Sequence, residues 1–327
     1  MNFWEKLKKP FFMLAPMEDV TDAAFRALIA KYGKPDVMMT EFTSADGLVR
    51  ADEKGQRLLR KKLLFGEGER PIVAQLFSAH PDHMEKAATL CKELGFDGID
   101  INMGCPVDEV VRQKCGAAMI REPENARAVI RAAMKTGLPV SVKTRIGFNS
   151  DELDTWLPEL LKEKVACVTL HLRTRKEMSD VPAHWEVMSR AVELRDSLKS
   201  MTLIAGNGDV KDIAEARAKA QATGCDGVML GRAIYGNPWL FKNIDTIRAE
   251  KQGDISPHAP TREEKVAALI EHLQLFDKLQ SGNTNYAVMK KHFKAYISGW
   301  ESAKELRIQL MDTQSVGEAL ALLTSIK

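Results

Sequence analysis

The sequence predicts a (β/α)8 barrel followed by a small all-helical domain. Three observations carry that expectation. Eight short apolar, β-branched-rich runs recur, each followed by an amphipathic stretch, the alternation that βαβ units require. The runs are apolar enough for burial on both faces, which favours a closed barrel over an open doubly wound sheet. No G-x-G-x-x-G follows the first run, which further disfavours the open sheet. Late in the chain the pattern becomes purely helical.

In chain order the strand candidates are FFMLAPM, DVMMTEF, PIVAQLF, GIDINMG, PVSVKTRIG, CVTLHLR, TLIAGNG and GVMLGRA. Helical patterns between them include Thr21 to Tyr32, Pro81 to Leu94, Pro123 to Thr136, Glu152 to Lys164 and Val210 to Thr223. Thr21-Asp22 before the first helix and Asp209 before the seventh can cap orphan amide groups. Gly33, Gly95, Gly137 and Gly224 stand where helices should stop, a position that favours glycine. The polar stretch DISPHAPTREE reads as a linker, so residues 1–256 form the expected barrel and residues 257–327 the helical domain. In the latter, KVAALIEHLQLFDKLQ, NYAVMKKHFKAYISGW and ESAKELRIQLMDTQSVGEALALLTSI repeat apolar residues at three and four.

Composition bounds the function without naming it. With 327 residues, 45% hydrophobic and 28% charged, the chain suits a soluble globular protein with a sizeable core. No apolar run is long enough for a membrane helix, and the start shows no signal-peptide pattern. The five cysteines form no C-x-x-C pair, which fits reduced thiols and gives no metal-type spacing. A cytoplasmic, monomeric, metal-free protein is expected. The net charge of +2 is too mild to argue for nucleic acid by itself.

Barrel enzymes build their sites at the C-terminal ends of the strands. Polar or unusual residues stand at that end of nearly every run: Pro16-Met17, Glu41, Gln75, Asn102 to Cys105, Lys143 and Arg145, His171 and Arg173, Asn207 to Asp209, and Gly231-Arg232. Singly each could be a turn residue; as a ring they point to a ligand. The loops after strands seven and eight commonly bind phosphate in this fold. There GNGD and GRA offer close backbone approach, and Arg232 offers a guanidinium fork. The Gln75 amide can both donate to and accept from a flavin pyrimidine edge. Lys143 would place positive charge where reduced flavin becomes anionic. Cys105, on the loop beyond the fourth run, is either a proton donor or a structural thiol, and spacing does not choose. Cys91, Cys167 and Cys225 read as buried structural residues; Cys115 is undecided.

The motifs APMEDVTDAAFR, TEF, AQLF, DINMGCPV, KCGAAMI, VKTRIG, HLRTR, GNGD and GVMLGRAIYGNPWLF resemble bacterial tRNA dihydrouridine synthases in order and spacing, closest to the B-type branch. The resemblance runs from about Phe12 to the end and includes MKKHFKAYI among the last helices. It implies FMN across the barrel mouth, held by Pro16, Met17, Glu18, Gln75, Lys143, His171, Asn207, Gly208, Asp209, Gly231 and Arg232. It implies that Cys105 is the catalytic cysteine and that Asn102 lies near the target base. Two half-reactions follow. NADPH (or NADH) reduces FMN, which then passes hydride to C6 of a flipped-out uridine while Cys105 protonates C5. No second nucleotide fold is visible, so nicotinamide would share the flavin face. RNA contacts are expected at Arg145, Arg173, Arg175, Lys290, Lys291, Lys294 and Arg307. The family usually has Gly-x-Ala-Asp-Trp after the RTR motif. Here MSDVPAHW stands instead, with Val181 and Pro182 for flexible residues and His184 for an acid.

Two other functions compete on the residues. A barrel of this kind could act on a free pyrimidine, as dihydroorotate dehydrogenases do, but that gives no reason for a helical domain bearing a lysine cluster. A non-catalytic RNA-binding barrel would have no need of Cys105, Lys143 and His171.

Overall fold

The computed structural model describes residues 2–249, 258–280, 282 and 284–325. The proposed boundary at residues 256/257 lies outside them. Nine parallel strands form one sheet: β1 (Phe11–Leu14), β2 (Met38–Met39), β3 (Thr43–Ser44), β4 (Ile72–Phe77), β5 (Gly98–Met103), β6 (Val140–Arg145), β7 (Cys167–His171), β8 (Leu203–Asn207) and β9 (Gly227–Leu230). The spatial order is β1-β9-β8-β7-β6-β5-β4-β2, with β3 also on β4. The ring closes where Met13 bridges Val37 and the Asp36 amide donates to the Phe12 carbonyl at 2.9 Å.

The barrel is therefore the expected one, with one difference in count. Within DVMMTEF only Met38–Met39 is strand, paired with the start of β4; Thr43–Ser44, just beyond the run, pairs with its end. Between them the Gln75 backbone amide of β4 donates to the Thr40 hydroxyl at 3.1 Å in place of a backbone carbonyl, which interrupts the ladder. That is a tertiary contact, invisible to a run of apolar residues.

Alternation along each strand builds two apolar layers. Phe12, Leu14, Ile99, Val142 and Ile204 pack outward beneath the helices, in a core shared with most of the chain. Phe11, Met13, Val37, Met39, Val73, Cys167, Ala205 and Met229 fill the barrel interior, with Trp4 against its lower end. The inward positions at the opposite end of the strands are the polar ones. The barrel is a plug of side chains whose top layer is a site.

Most helices start and stop near their expected bounds. Asp22 caps Ala23–Tyr32 by accepting from the Phe25 amide at 2.9 Å. The other expected cap is corrected: Asp212 caps Ile213–Thr223, and Asp209 serves Arg173 and Arg232 instead. Gly95, Gly137 and Gly224 have the positive φ expected of helix stops, but Gly33 is extended. It is glycine because a Cβ there would lie 2.7 Å from the Lys242 backbone nitrogen.

Among the described residues four helices follow the barrel: Arg262–Gln280, Ala287–Tyr296, Ala303–Asp312 and Val316–Thr324. They dock on the barrel through Phe25, whose ring lies 4.8 Å from those of both His272 and His292. Lys31 adds an ion pair to Glu271 at 2.7 Å. No helix among the described residues is long and apolar enough to cross a membrane.

Candidate functional site

A cavity of about 320 Å³ opens at the C-terminal ends of the strands. Its wall contains Pro16, Met17, Gln75, Asn102, Cys105, Lys143, Arg145, His171, Arg173, Asn207, Gly208, Asp209, Gly231 and Arg232. Sheet register explains the convergence. Asn102 pairs with Lys143, Arg145 with His171, and His171 with Asn207, so neighbouring strands present these side chains at one level.

Glu18 is the exception among the cofactor candidates: it is exposed, outside the cavity wall, and pairs with Lys62. Its carboxylate gathers with those of Asp19 and Glu41. Lys62 and Lys291 offset that charge, and burial pushes Glu41 up to about 7.

A buried chain of hydrogen bonds runs beneath the cavity. The Ser141 hydroxyl donates to Asp100 at 2.6 Å and the Gln75 amide donates to the same carboxylate at 2.7 Å. Gln75 accepts from Asn102 at 3.1 Å, and Asn102 accepts the amides of Gly104 and Cys105 at 3.1 and 2.9 Å. A carboxylate only accepts, so each amide's orientation is set by the one before it. The second Asn102 amide N–H has no acceptor among the described residues and can serve a ligand. Asp100 and Ser141 were missed by the sequence reading, although both stand at inward positions two before Asn102 and Lys143. Phe42 and Ser179 also line the wall.

The Cys105 thiol is half-buried, and burial raises its pKa above the ordinary thiol value. It therefore carries its proton at neutral pH. Gly104 makes the turn possible, because a Cβ there would approach the Thr144 backbone to 3.1 Å. Cys115 is fully buried, donates to the Gln113 carbonyl at 3.4 Å, and is pushed up to about 12 by burial. It packs beside Cys105 and does not line the cavity.

Lys143 has no hydrogen-bond or ion-pair partner among the described residues; burial, then Arg145, lowers its pKa to about 8. His171 accepts from Arg173 at 3.2 Å through Nε2, since a guanidinium can only donate. Burial keeps this imidazole neutral, so Nδ1 carries the proton.

Arg145 and Arg173 were expected to meet RNA, but both are buried. Arg145 donates to the carbonyls of Gly104, Thr174 and Met178 at 2.8, 2.8 and 2.9 Å. Arg173 donates to the Val181 carbonyl at 2.6 Å and pairs with Asp209. Asp209 also accepts the Ala183 amide at 2.9 Å, and Trp185 donates to the Gly208 carbonyl at 2.7 Å. These bonds hold the MSDVPAHW loop over the mouth, with His184 donating to Glu177 at 2.9 Å. Gly208, at φ +134°, admits the close approach of Ala183. Arg175 pairs with Asp108 at 2.5 Å.

The cations of the last helices do not line the cavity; they surround a separate groove that also exposes Ile308 and Met311. Lys290 donates to the Met311 carbonyl at 2.7 Å and Arg307 to the Ile297 carbonyl at 3.0 Å. Lys291 pairs with Asp19 at 3.1 Å. Lys294 alone of the four has no such partner among the described residues.

The model of the dihydrouridine synthase family matches residues 13–327. The chain belongs to that family. A probable tRNA-dihydrouridine synthase of Staphylococcus aureus (strain COL) is 41% identical over 324 residues, covering 98% of this chain and 94% of that one. Probable tRNA-dihydrouridine synthase 2 of Bacillus subtilis (strain 168) is 42% identical over 324 residues, covering 98% and 95%. Among solved structures, a morphinone reductase mutant in complex with tetrahydroNAD aligns with a TM-score of 0.54 at 13% identity, over 76% of this chain and 90% of that one. Histamine dehydrogenase from Rhizobium sp. 4-9 aligns at 0.52 and 14% identity, over 81% and 48%. Those two likenesses bear on the fold alone. A dihydrouridine synthase family enzyme thus carries the polar ring at its barrel mouth.

Proposed function

We propose that this enzyme reduces the 5,6 double bond of uridines in tRNA, with FMN at the barrel mouth and NADPH or NADH as reductant. The observation that carries the reading is that Cys105, Lys143 and an oriented Gln75–Asn102 pair line one cavity at the barrel mouth. Family membership and relatives named as tRNA-dihydrouridine synthases support the substrate class.

The cavity suits FMN on several counts. Gly231 lines the cavity without a side chain, so a ligand can approach its backbone closely. Arg232 is largely exposed beside Gly231 and, with the loop from Asn207 to Asp209, can take a phosphate. Gln75 and Lys143 would meet the pyrimidine end of the ring, with Pro16, Met17 and His171 also in the wall. When bound, the flavin would supply the hydride that goes to C6.

The chain's own residues do the rest. Asn102 offers its second amide N–H to a carbonyl of the base. Cys105 delivers the proton to C5. Arg145 and Arg173 hold the loops that wall the site, and Lys294, together with Lys290, Lys291 and Arg307 once they exchange their intramolecular contacts, meets the RNA. In this reading the enzyme works in the cytoplasm, as a monomer, and without a metal.

Denaturing the purified protein should release FMN. Release of FAD alone, or no flavin after reconstitution with FMN, would refute the cofactor assignment.

A further inference from the structure

The helix Glu53–Lys62, with Arg50 just before it, is unlike the other helices around the barrel. It has no buried residue. From Arg50 to Lys62 the chain carries six cations (Arg50, Lys54, Arg57, Arg60, Lys61 and Lys62) against Asp52 and Glu53, a net +4 in a protein whose total is +2. Around the helices Pro81–Glu93 and Pro123–Met134, several outward cations are paired with acids across helices. Arg127 binds Glu159 and Glu163 at 3.0 Å, Arg131 binds Glu163 at 2.8 Å, and Lys135 binds Glu85 at 2.7 Å. Here only Lys62 is paired. Arg50, Lys54, Arg57, Arg60 and Lys61 have no ion pair among the described residues.

Cations in a last helical turn complement the helix dipole, which would account for Arg60 and Lys61. It does not account for Arg50, Lys54 or Arg57. Leu58, 44% exposed, and Leu64, 42% exposed, stand among these cations.

Placement adds an independent observation. Lys62 pairs with Glu18, and Lys291 of the later helices pairs with Asp19 at 3.1 Å. Both acids follow Met17, which lines the cavity. The basic helix and the lysine-bearing helices therefore flank the same edge of the mouth, one on each side of the loop after β1. A polyanion lying across that edge would meet cations on both sides.

We infer that Arg50 and the helix Glu53–Lys62 form a docking face for the phosphate backbone of the substrate RNA, a reading that rests on the proposed action on tRNA. Unpaired, exposed cations fit a strand of phosphates, since releasing its counterions supplies the binding free energy. Contacts of this kind position the RNA without reading its sequence.

The test is binding of an unmodified tRNA transcript across a salt series. It compares the wild type, Lys54→Gln/Arg57→Gln/Lys61→Gln, and the charge-keeping Lys54→Arg/Arg57→Lys/Lys61→Arg. The glutamine variant should show a log–log salt slope shallower by about two to three, and the charge-keeping variant the wild-type slope. These side chains pack little, so equal thermal midpoints are expected in all three. A wild-type slope in the glutamine variant, while the wild type binds and modifies tRNA, would overturn the inference and leave a solvated helix face. Loss of binding to phosphatidylserine vesicles with unchanged tRNA binding would overturn it in favour of a membrane surface. A wild type that neither binds nor modifies tRNA would remove the functional reading on which the inference rests.

Discussion

Cys105→Ala is expected to slow dihydrouridine formation by about 10²–10⁴, the usual scale of general-acid catalysis. Oxidation of NADPH with a small electron acceptor should stay near the wild-type rate. The asymmetry follows from position. The Cys105 backbone amide is held by Asn102 at 2.9 Å, and alanine keeps that bond, so only the proton donor is lost. A pH profile adds a second reading. The wild-type rate should fall as pH rises past about 8, where Lys143 loses its charge, with the Cys105 thiol following at higher pH. Retention of the wild-type rate by the mutant would place the acid elsewhere. Cys115 would be a poor substitute, being buried and held near 12.

Arg26→Met should produce the largest loss of stability, about 3–5 kcal/mol, the range for removing one partner of a buried ion pair. Arg26 is fully buried and Glu69 is 2% exposed. The guanidinium reaches Glu69 at 2.7 Å, the Thr21 carbonyl at 2.7 Å and the Leu64 carbonyl at 2.5 Å. It thus ties the loop after β1 to the end of the basic helix. Methionine leaves the Glu69 carboxylate buried with only the Gly66 amide at 2.7 Å. Urea unfolding should show a lower midpoint with an unchanged slope. A loss under about 1 kcal/mol would mean that water or a repacked cation replaces Arg26.

Much of the fold and part of the site could be read before any coordinates. Near-continuous apolar runs such as FFML and PIVAQLF report burial on both faces, with alternate side chains turned into the barrel, and this is how a barrel looks in one dimension. The same alternation carries Gln75, Asn102, Lys143 and His171 to one level at the mouth. Hidden features were those set by partners far along the chain. Arg145 and Arg173 look like free RNA ligands until the Thr174, Met178 and Val181 carbonyls fold onto them. Asp209 looks like a helix cap until two arginines converge on it. The break after Met39 depends on a backbone amide that Gln75 donates to the Thr40 hydroxyl. The basic helix was missed for a different reason: its charge is plain in the sequence, but the lack of neighbouring acids is a property of the folded surface.

The most direct test is to incubate the purified, FMN-loaded protein with NADPH and an unmodified tRNA transcript, and to measure dihydrouridine by mass spectrometry. A gain of two hydrogens at defined uridines is expected, together with reoxidation of the reduced protein by tRNA and not by free uridine. Reoxidation by small pyrimidines alone, with no dihydrouridine in the tRNA, would contradict the proposed function and leave a barrel reductase acting on free bases.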